Sequence, residues 1–145
     1  ALAREVGRLE AAGGRVLGVR CDVGDAAQVA ALRDRALAAF GAVHVLCNNA
    51  GVAPGRPCLK TLPEMWRWVI DVNLLGVAYG AQAFGPAMVE QGEGHIVNTA
   101  SEAGLAATGM LAAYHASKYG VVGLSESLYL ELRGTGVGVS CLCPE

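Results

Sequence analysis

The stretch Val43 to Gly51, VHVLCNNAG, is a mostly apolar run that ends in two asparagines, an alanine and a glycine. The apolar part, Val43 to Cys47, lacks the alternation of a half-exposed strand and is typical of a strand buried in a parallel sheet. Asn48 to Gly51 then predict a turn at the carboxyl end of that strand. Ligands of open α/β sheets bind beyond these strand ends, so the turn is a candidate ligand edge.

Helical and strand-like segments alternate on both sides of this stretch. Helices are predicted from Leu2 to the Gly13-Gly14 pair, from the Asp25 cap to Phe40, and over Pro63–Glu90 and Ala113–Arg133. The other predicted strands are Arg15–Val23, His95–Thr99 and Val137–Leu142. This order predicts a single α/β domain, a three-layer doubly wound parallel sheet with helices on both faces.

The composition limits the classes of partner. The chain has 145 residues, of which 53% are hydrophobic and 17% charged, with a net charge of −2. That balance suits a buried core, and the lack of a basic run argues against nucleic acid or an anionic membrane as a partner. No apolar run approaches the ~20 residues of a membrane span. The acidic, helical N-terminus is unlike a signal peptide, and without a starting Met the chain is either processed or a fragment.

Cysteine usage bears on the cellular compartment. The number of cysteines is odd, and most of them lie in strand-like apolar runs: Cys21, Cys47, Cys58, Cys141 and Cys143. Their spacing suits neither a disulfide framework nor a metal site. We therefore expect buried, reduced thiols, no metal and a cytoplasmic protein.

Tyr114 and Lys118 are the candidate catalytic pair. Residues four apart on a helix share a face, and a positive charge next to a phenol favours its ionised form. Such a phenol can exchange a proton with a substrate oxygen, to which the Ser101 hydroxyl can also hydrogen-bond. Tyr and Lys at this spacing also occur by chance on amphipathic helices. His115 is expected to lie on a different side of the helix as a bystander.

Polar or small residues follow three of the predicted strands. Asp22, the Asn48 to Gly51 turn and Ser101 all stand at carboxyl ends, which a parallel sheet brings to one edge. Ala50 and Gly51 would let a ligand approach the backbone closely. Ordinary turn chemistry explains each of these positions singly, whereas their joint placement favours a ligand site.

In order and spacing, the Asn48-Asn49-Ala50-Gly51 turn, Asn73, Ser101 and Tyr114-x-x-x-Lys118 resemble the short-chain dehydrogenase/reductase family. The local likeness is to its main bacterial branch, which includes acyl-carrier-protein ketoreductases and alcohol and steroid dehydrogenases. The resemblance spans essentially the whole chain. It implies a Rossmann-like fold and hydride transfer between NAD or NADP and a small-molecule secondary alcohol or ketone. It also implies a homodimer or homotetramer formed through helices 63–90 and 113–133.

The resemblance implies a role for each matched position. Tyr114 would be the general acid/base, Lys118 would assist it and bind the nicotinamide ribose, and Ser101 would orient the substrate. Asn73 would hold a water of a proton relay, although by itself it reads as a polar position on a bent helix. The implied cofactor contacts, besides Tyr114 and Lys118, are Asp22, Val23, Asn48, Ala50 and Gly51.

The sequence departs from the family at both ends. No strand, glycine-rich turn and helix for a pyrophosphate are found, and the segment that follows Pro144 in the family is missing. We therefore expect an incomplete domain that binds NAD(P) weakly or not at all in isolation, with cofactor preference and substrate undetermined. A non-catalytic oligomerisation module or an inactive gene fragment is the alternative. A glycine-rich turn encoded in frame ahead of Ala1 would favour the enzyme.

Overall fold

A three-stranded parallel sheet organises the molecule. The computed structural model describes residues 1–145. Strands β1 (Val45–Asn48), β2 (Gly94–Thr99) and β3 (Val137–Leu142) lie in the order β1-β2-β3. Their register is parallel throughout and places Leu46, Ile96 and Val139 in one row. The predicted parallel α/β arrangement is confirmed for these three strands, because each is joined to the next by a helical crossover.

Five α-helices accompany the strands, two before β1, two between β1 and β2, and one between β2 and β3. They are α1 (Leu2–Ala11), α2 (Ala26–Phe40), α3 (Pro63–Ile70), α4 (Gly76–Gln91) and α5 (Ala112–Glu131). The predicted cap of α2 is present, since the Asp25 carboxylate accepts hydrogen bonds from the backbone of Ala27 and Gln28. The predicted helix 63–90 consists of α3 and α4 joined by a π-helical turn, Asp71–Leu75. None of the helices combines the length and hydropathy that a membrane crossing requires.

The hydrophobic core lies between the sheet and the helices on one of its faces. Alternate residues of the strands point towards α4 and α5. One core cluster joins α4 to β2 and β3 through Ala81, Met88, Ile96 and Val137, and Leu128 of α5 packs against it. A second lies nearer the carboxyl ends of the strands and comprises Val77, Ala100 and Val121. Helix α2 packs against α4 beside Leu46.

The opposite face of the sheet is largely open in residues 1–145. Val45 and Leu142 are 59% and 50% exposed, and Cys47 beside them is also exposed. The predicted burial of the cysteines is wrong, since none of the five is buried. All five are free thiols. Cys47 shows the reason, because it points to the sheet face that no helix covers here. The expectation of an incomplete domain agrees with this open face.

The predicted strand Arg15–Val23 does not form a strand. Its residues lack regular secondary structure between α1 and α2. The local preference for β-structure is satisfied only when a neighbouring strand supplies hydrogen-bond partners. The outer edge of β1 and this segment are not paired, and the Asp22 amide instead donates to the side chain of Gln28 at 3.0 Å. The predicted strand is therefore wrong, because local β-propensity does not form a strand without a paired neighbour.

Candidate active site

Residues from the ends of β1 and β2 and the start of α5 line one pocket at the carboxyl edge of the sheet. Its volume is about 230 Å³, and Gly51, Ser101, Tyr114 and Lys118 all contribute to its wall. Asn49 lines the same pocket, and its side-chain oxygen accepts a hydrogen bond from Thr99 Oγ1 at 3.2 Å. The structure thus brings together the residues that the sequence predicts for proton transfer.

Lys118 is held in the wall of this pocket by the backbone of β2. Its Nζ donates to the carbonyl oxygen of Thr99 at 2.7 Å and lies 5.6 Å from the ring centroid of Tyr114. The residue is only 4% exposed. Burial lowers the pKa of the ammonium and is the larger effect, while the charge of Cys141 acts in the opposite direction. An ammonium has three donors, so two remain for ligand or water after the bond to Thr99.

Ser101 follows β2 and caps a short 3₁₀ turn, Glu102–Gly104. Its Oγ accepts a hydrogen bond from the Ala103 amide at 3.2 Å. A hydroxyl has a single proton to donate, and this bond leaves that proton available. The turn packs closely on α5, because a Cβ at Gly104 would lie 2.7 Å from the carbonyl oxygen of Lys118. The glycine therefore sets the distance between the Ser101 turn and the helix that carries Tyr114.

His115, predicted to be a bystander, is buried and hydrogen-bonded in the structure. It is 6% exposed, and its ring bridges two points of the segment after Ser101. Nδ1 lies 2.9 Å from the carbonyl oxygen of Ala103, and Nε2 accepts from the Thr108 amide at 3.0 Å. Both contacts join residues in different elements, so helical periodicity alone could not reveal them.

Asn73 occupies the π-helical turn and is fully buried. Its side-chain amide bonds both the N–H and the C=O of Val52, at 2.8 and 2.9 Å, and donates to Ser117 Oγ at 3.0 Å. It thereby fixes the loop after β1. A Cβ at Gly51 would lie 3.6 Å from Asn73 Oδ1 and 3.8 Å from Lys118 Nζ. The absence of a side chain at Gly51 therefore leaves open a position within 4 Å of both polar groups.

Asn48 belongs to a buried polar chain that sequence reading did not find. Its Nδ2 donates to Asn98 Oδ1 at 2.9 Å, and Asn98 in turn donates to Ser125 Oγ at 3.0 Å. Gly80 on α4 makes room for it, because a Cβ there would lie 3.0 Å from Asn48 Cγ. The side chain of Asn48 therefore fastens β1 to β2. The sequence signal for this chain is that Asn48 and Asn98 each stand near the carboxyl end of an apolar strand.

Asp22 and Val23 lie at the same sheet edge as Ala50. These three residues and Val72 line an open groove beside the end of β1. The Asp22 carboxylate accepts a hydrogen bond from the Gly24 amide at 3.0 Å, which fixes the turn before α2. Val23 packs against Gly76, where a Cβ would lie 2.9 Å from Val23 Cγ2. The groove is thus bordered by apolar residues and by the polar side chains of Arg20, Asp22 and Gln28.

The chain matches known proteins along its whole length. The family model for short chain dehydrogenases covers residues 1–145. D-threitol dehydrogenase of Mycolicibacterium smegmatis is 43% identical over 127 residues, which are 88% of this chain and 49% of that protein. The chain spans about half the length of the curated relatives it matches.

Solved structures agree with this sequence similarity. A short-chain dehydrogenase/reductase from Burkholderia phymatum in complex with NAD superposes with a TM-score of 0.97 at 53% identity, covering 99% of this chain and 52% of that one. A metagenomic short-chain oxidoreductase in complex with NADP gives a TM-score of 0.93 at 39% identity, covering 99% and 66%. The chain belongs to the short-chain dehydrogenase/reductase family.

Proposed function

We propose that the protein containing this chain is an NAD- or NADP-dependent oxidoreductase that interconverts a secondary alcohol and a ketone. The observation that carries the proposal is the single pocket lined by Ser101, Tyr114 and Lys118. A hydroxyl donor, a phenol and a buried ammonium are the groups that proton transfer at a carbonyl oxygen requires. A relative named as a D-threitol dehydrogenase and neighbours bound to NAD and NADP support the same chemistry.

Each of the three side chains has a distinct role in the proposed reaction. Tyr114 gives its phenolic proton to the substrate oxygen during reduction and takes it back during oxidation. Ser101 donates its free hydroxyl proton to the same oxygen and so fixes the orientation of the substrate. Lys118 stabilises the phenolate by its charge, and its remaining N–H groups are available to ribose hydroxyls. A bound nicotinamide supplies or accepts the hydride.

Asn73 has a positioning role in this proposal. The proton lost by Tyr114 has to be replaced from solvent through Lys118. Asn73 holds the loop at Val52, and the missing side chain at Gly51 leaves the space between Asn73 and the ammonium. We assign that space to a relay water.

In this proposal the groove at Asp22 receives the adenosine half of a dinucleotide, and the pocket at Lys118 receives the nicotinamide half. Asp22 and Val23 border the outer part of the groove, where an adenine can stack on apolar side chains and bond to a carboxylate or backbone. Ala50 and Gly51 lead from there to Lys118, with Asn48 supporting the strand beneath. Residues 1–145 contribute no glycine-rich turn to a pyrophosphate. The proposed cofactor is NAD or NADP, and these residues do not distinguish the two.

The groove between α4 and α5 is the proposed oligomer interface. Its walls are apolar or small at Ala78, Val89, Leu124 and Leu128, and Ile96 of β2 forms its floor. Helices 63–90 and 113–133 from two copies would cover these side chains in a homodimer or homotetramer. Light scattering after size-exclusion chromatography measures the mass of the particle, and the mass of one subunit would contradict this interface. A cytoplasmic location, inferred from the free thiols, is part of the same proposal.

The experiment that tests the function uses the natural polypeptide that contains these residues. NADH and NADPH are titrated by fluorescence, and a panel of ketones and secondary alcohols is then screened for change in nicotinamide absorbance. Saturable binding of one cofactor together with turnover of at least one substrate supports the proposal. A folded protein that binds neither cofactor would favour the non-catalytic oligomerisation module.

A further inference from the structure

We infer that His115 is a positioning residue that acts on Ser101 through the peptide of Ala103. The inference rests on the proposed function, since it gives His115 a task in the same site. His115 does not touch the pocket, whose wall is formed by its neighbour Tyr114 and by Lys118. Its effect on the reaction is therefore indirect.

The hydrogen bonds of His115 define one state of its ring. The Thr108 amide can only donate, so Nε2, at 3.0 Å from it, has to be the unprotonated nitrogen. Nδ1 then carries the proton and donates to the Ala103 carbonyl oxygen at 2.9 Å. The Thr108 hydroxyl is a second, longer neighbour of Nε2 at 3.3 Å. The ring is 6% exposed, so water competes little for these bonds.

The peptide of Ala103 connects His115 to Ser101. Its carbonyl oxygen accepts from His115, while the amide of the same residue donates to Ser101 Oγ at 3.2 Å. Gly104 lies directly against the backbone of Lys118, which prevents the turn from moving towards α5. The hydrogen bond from His115 to Ala103 prevents the opposite movement, that of the turn away from α5.

The orientation of the Ser101 hydroxyl depends on this arrangement. With the Ala103 amide occupying an acceptor position on Oγ, the hydroxyl proton is directed to the remaining side, where a substrate oxygen would lie. If the turn moves, Oγ loses its fixed donor and the proton is free to point elsewhere. We therefore expect loss of His115 to lower kcat more than it raises KM.

Three substitutions separate the two bonds of the ring. His115→Phe keeps the ring volume and removes both bonds. His115→Asn places an N–H near the position of Nδ1 and can still donate to Ala103, whereas His115→Gln places an oxygen near Nε2 and can accept only from Thr108. Ala116→Ser, at the next and exposed position of α5, is the matched control.

The variants are made in the natural polypeptide and assayed with the alcohol that turns over best. We expect His115→Phe to lower kcat about tenfold, the effect of one lost orienting hydrogen bond, with the cofactor dissociation constant unchanged. His115→Asn should recover most of that loss and His115→Gln little. In a Ser101→Ala background, His115→Phe should have almost no further effect, because both changes disable one group.

Two results would overturn the inference. One is full additivity of His115→Phe and Ser101→Ala, which would show that His115 acts independently of Ser101. The other is better recovery by His115→Gln than by His115→Asn, which would place its effect at Thr108. If the wild type turns over no substrate, the proposed function fails by itself. Amide hydrogen exchange then still tests the contacts, since His115→Phe should accelerate exchange at Thr108, and unchanged exchange would refute them.

Discussion

Substitution of Gly80 by alanine tests whether the buried polar chain is as tightly packed as the structure shows. The new methyl group would overlap Asn48 Oδ1 and lie 3.0 and 3.2 Å from its Cγ and Nδ2. Asn48 cannot move without lengthening its 2.9 Å hydrogen bond to Asn98, which is fully buried. The change is therefore expected to strain the contact between α4 and β1 and to weaken the bond between the two asparagines.

The magnitude follows from three effects. Overpacking of this kind costs about 1 to 3 kcal/mol, and the weakened hydrogen bond about 1 kcal/mol. Alanine favours the helix over glycine by about 1 kcal/mol, which offsets part of the loss. We expect a net decrease of about 2 kcal/mol in the free energy of unfolding, or roughly 4 to 8 °C in Tm.

The assay is urea unfolding of the wild type, Gly80→Ala and Gly7→Ala at one protein concentration. Gly7 is an exposed position of α1, outside the proposed oligomer interface, and a Cβ there would have no atom within 4 Å. It should therefore gain stability, by about 1 kcal/mol or less, from the helix preference of alanine. Equal or higher stability of Gly80→Ala relative to the wild type would refute the packing described for Asn48.

Three further predictions concern the site itself. Burial lowers the pKa of Lys118, so between the lowered and the ordinary pKa the unfolded chain binds more protons than the folded one. The free energy of unfolding of the wild type, relative to that of Lys118→Met, should therefore rise with pH in the alkaline range. Urea unfolding at several pH values measures this difference, and no rise with pH would mean that the ammonium is solvated. Gly104→Ala would place a methyl carbon 2.7 Å from the Lys118 carbonyl oxygen and displace the Ser101 turn from α5, so we expect kcat at saturating cofactor to fall; unchanged kcat would contradict this close packing. Asn73→Ala leaves both backbone groups of Val52 without their partner and should cost about 2 to 4 kcal/mol in urea unfolding, whereas a loss below about 0.5 kcal/mol would mean that water replaces the amide.

Sequence periodicity predicted those elements whose partners lie within the chain. The strand Val137–Leu142 was predicted with its observed bounds, and the helix over 113–133 differs by only one or two residues at its ends. The segment Arg15–Val23 has the same local character but no paired neighbour, so it forms no strand. The predicted burial of Cys47 failed for a similar reason, because burial of a strand residue depends on which element covers that face of the sheet. Pairing and cover are long-range properties that composition and spacing do not encode.

The residues of the candidate site that belong to a sequence motif could be predicted. Ser101, Tyr114 and Lys118 meet in one pocket because strand ends and helix starts share an edge of the sheet. The supporting residues were missed or misread. His115 contacts Ala103 and Thr108 across a loop of irregular structure, and no periodicity signals such a contact. The residues proposed for the chemistry form a sequence pattern, whereas those proposed to position them are recognised only from their contacts in the structure.

Tyr114→Phe in the natural polypeptide is the most direct test of the proposed reaction. The substitution removes only the phenolic hydroxyl and leaves the ring beside Lys118. We expect turnover to fall by about a hundredfold or more, within the range of general acid–base catalysis, while NADH or NADPH binds with unchanged affinity. Undiminished turnover in a variant that binds cofactor normally would contradict the assignment of Tyr114 as the proton donor and acceptor.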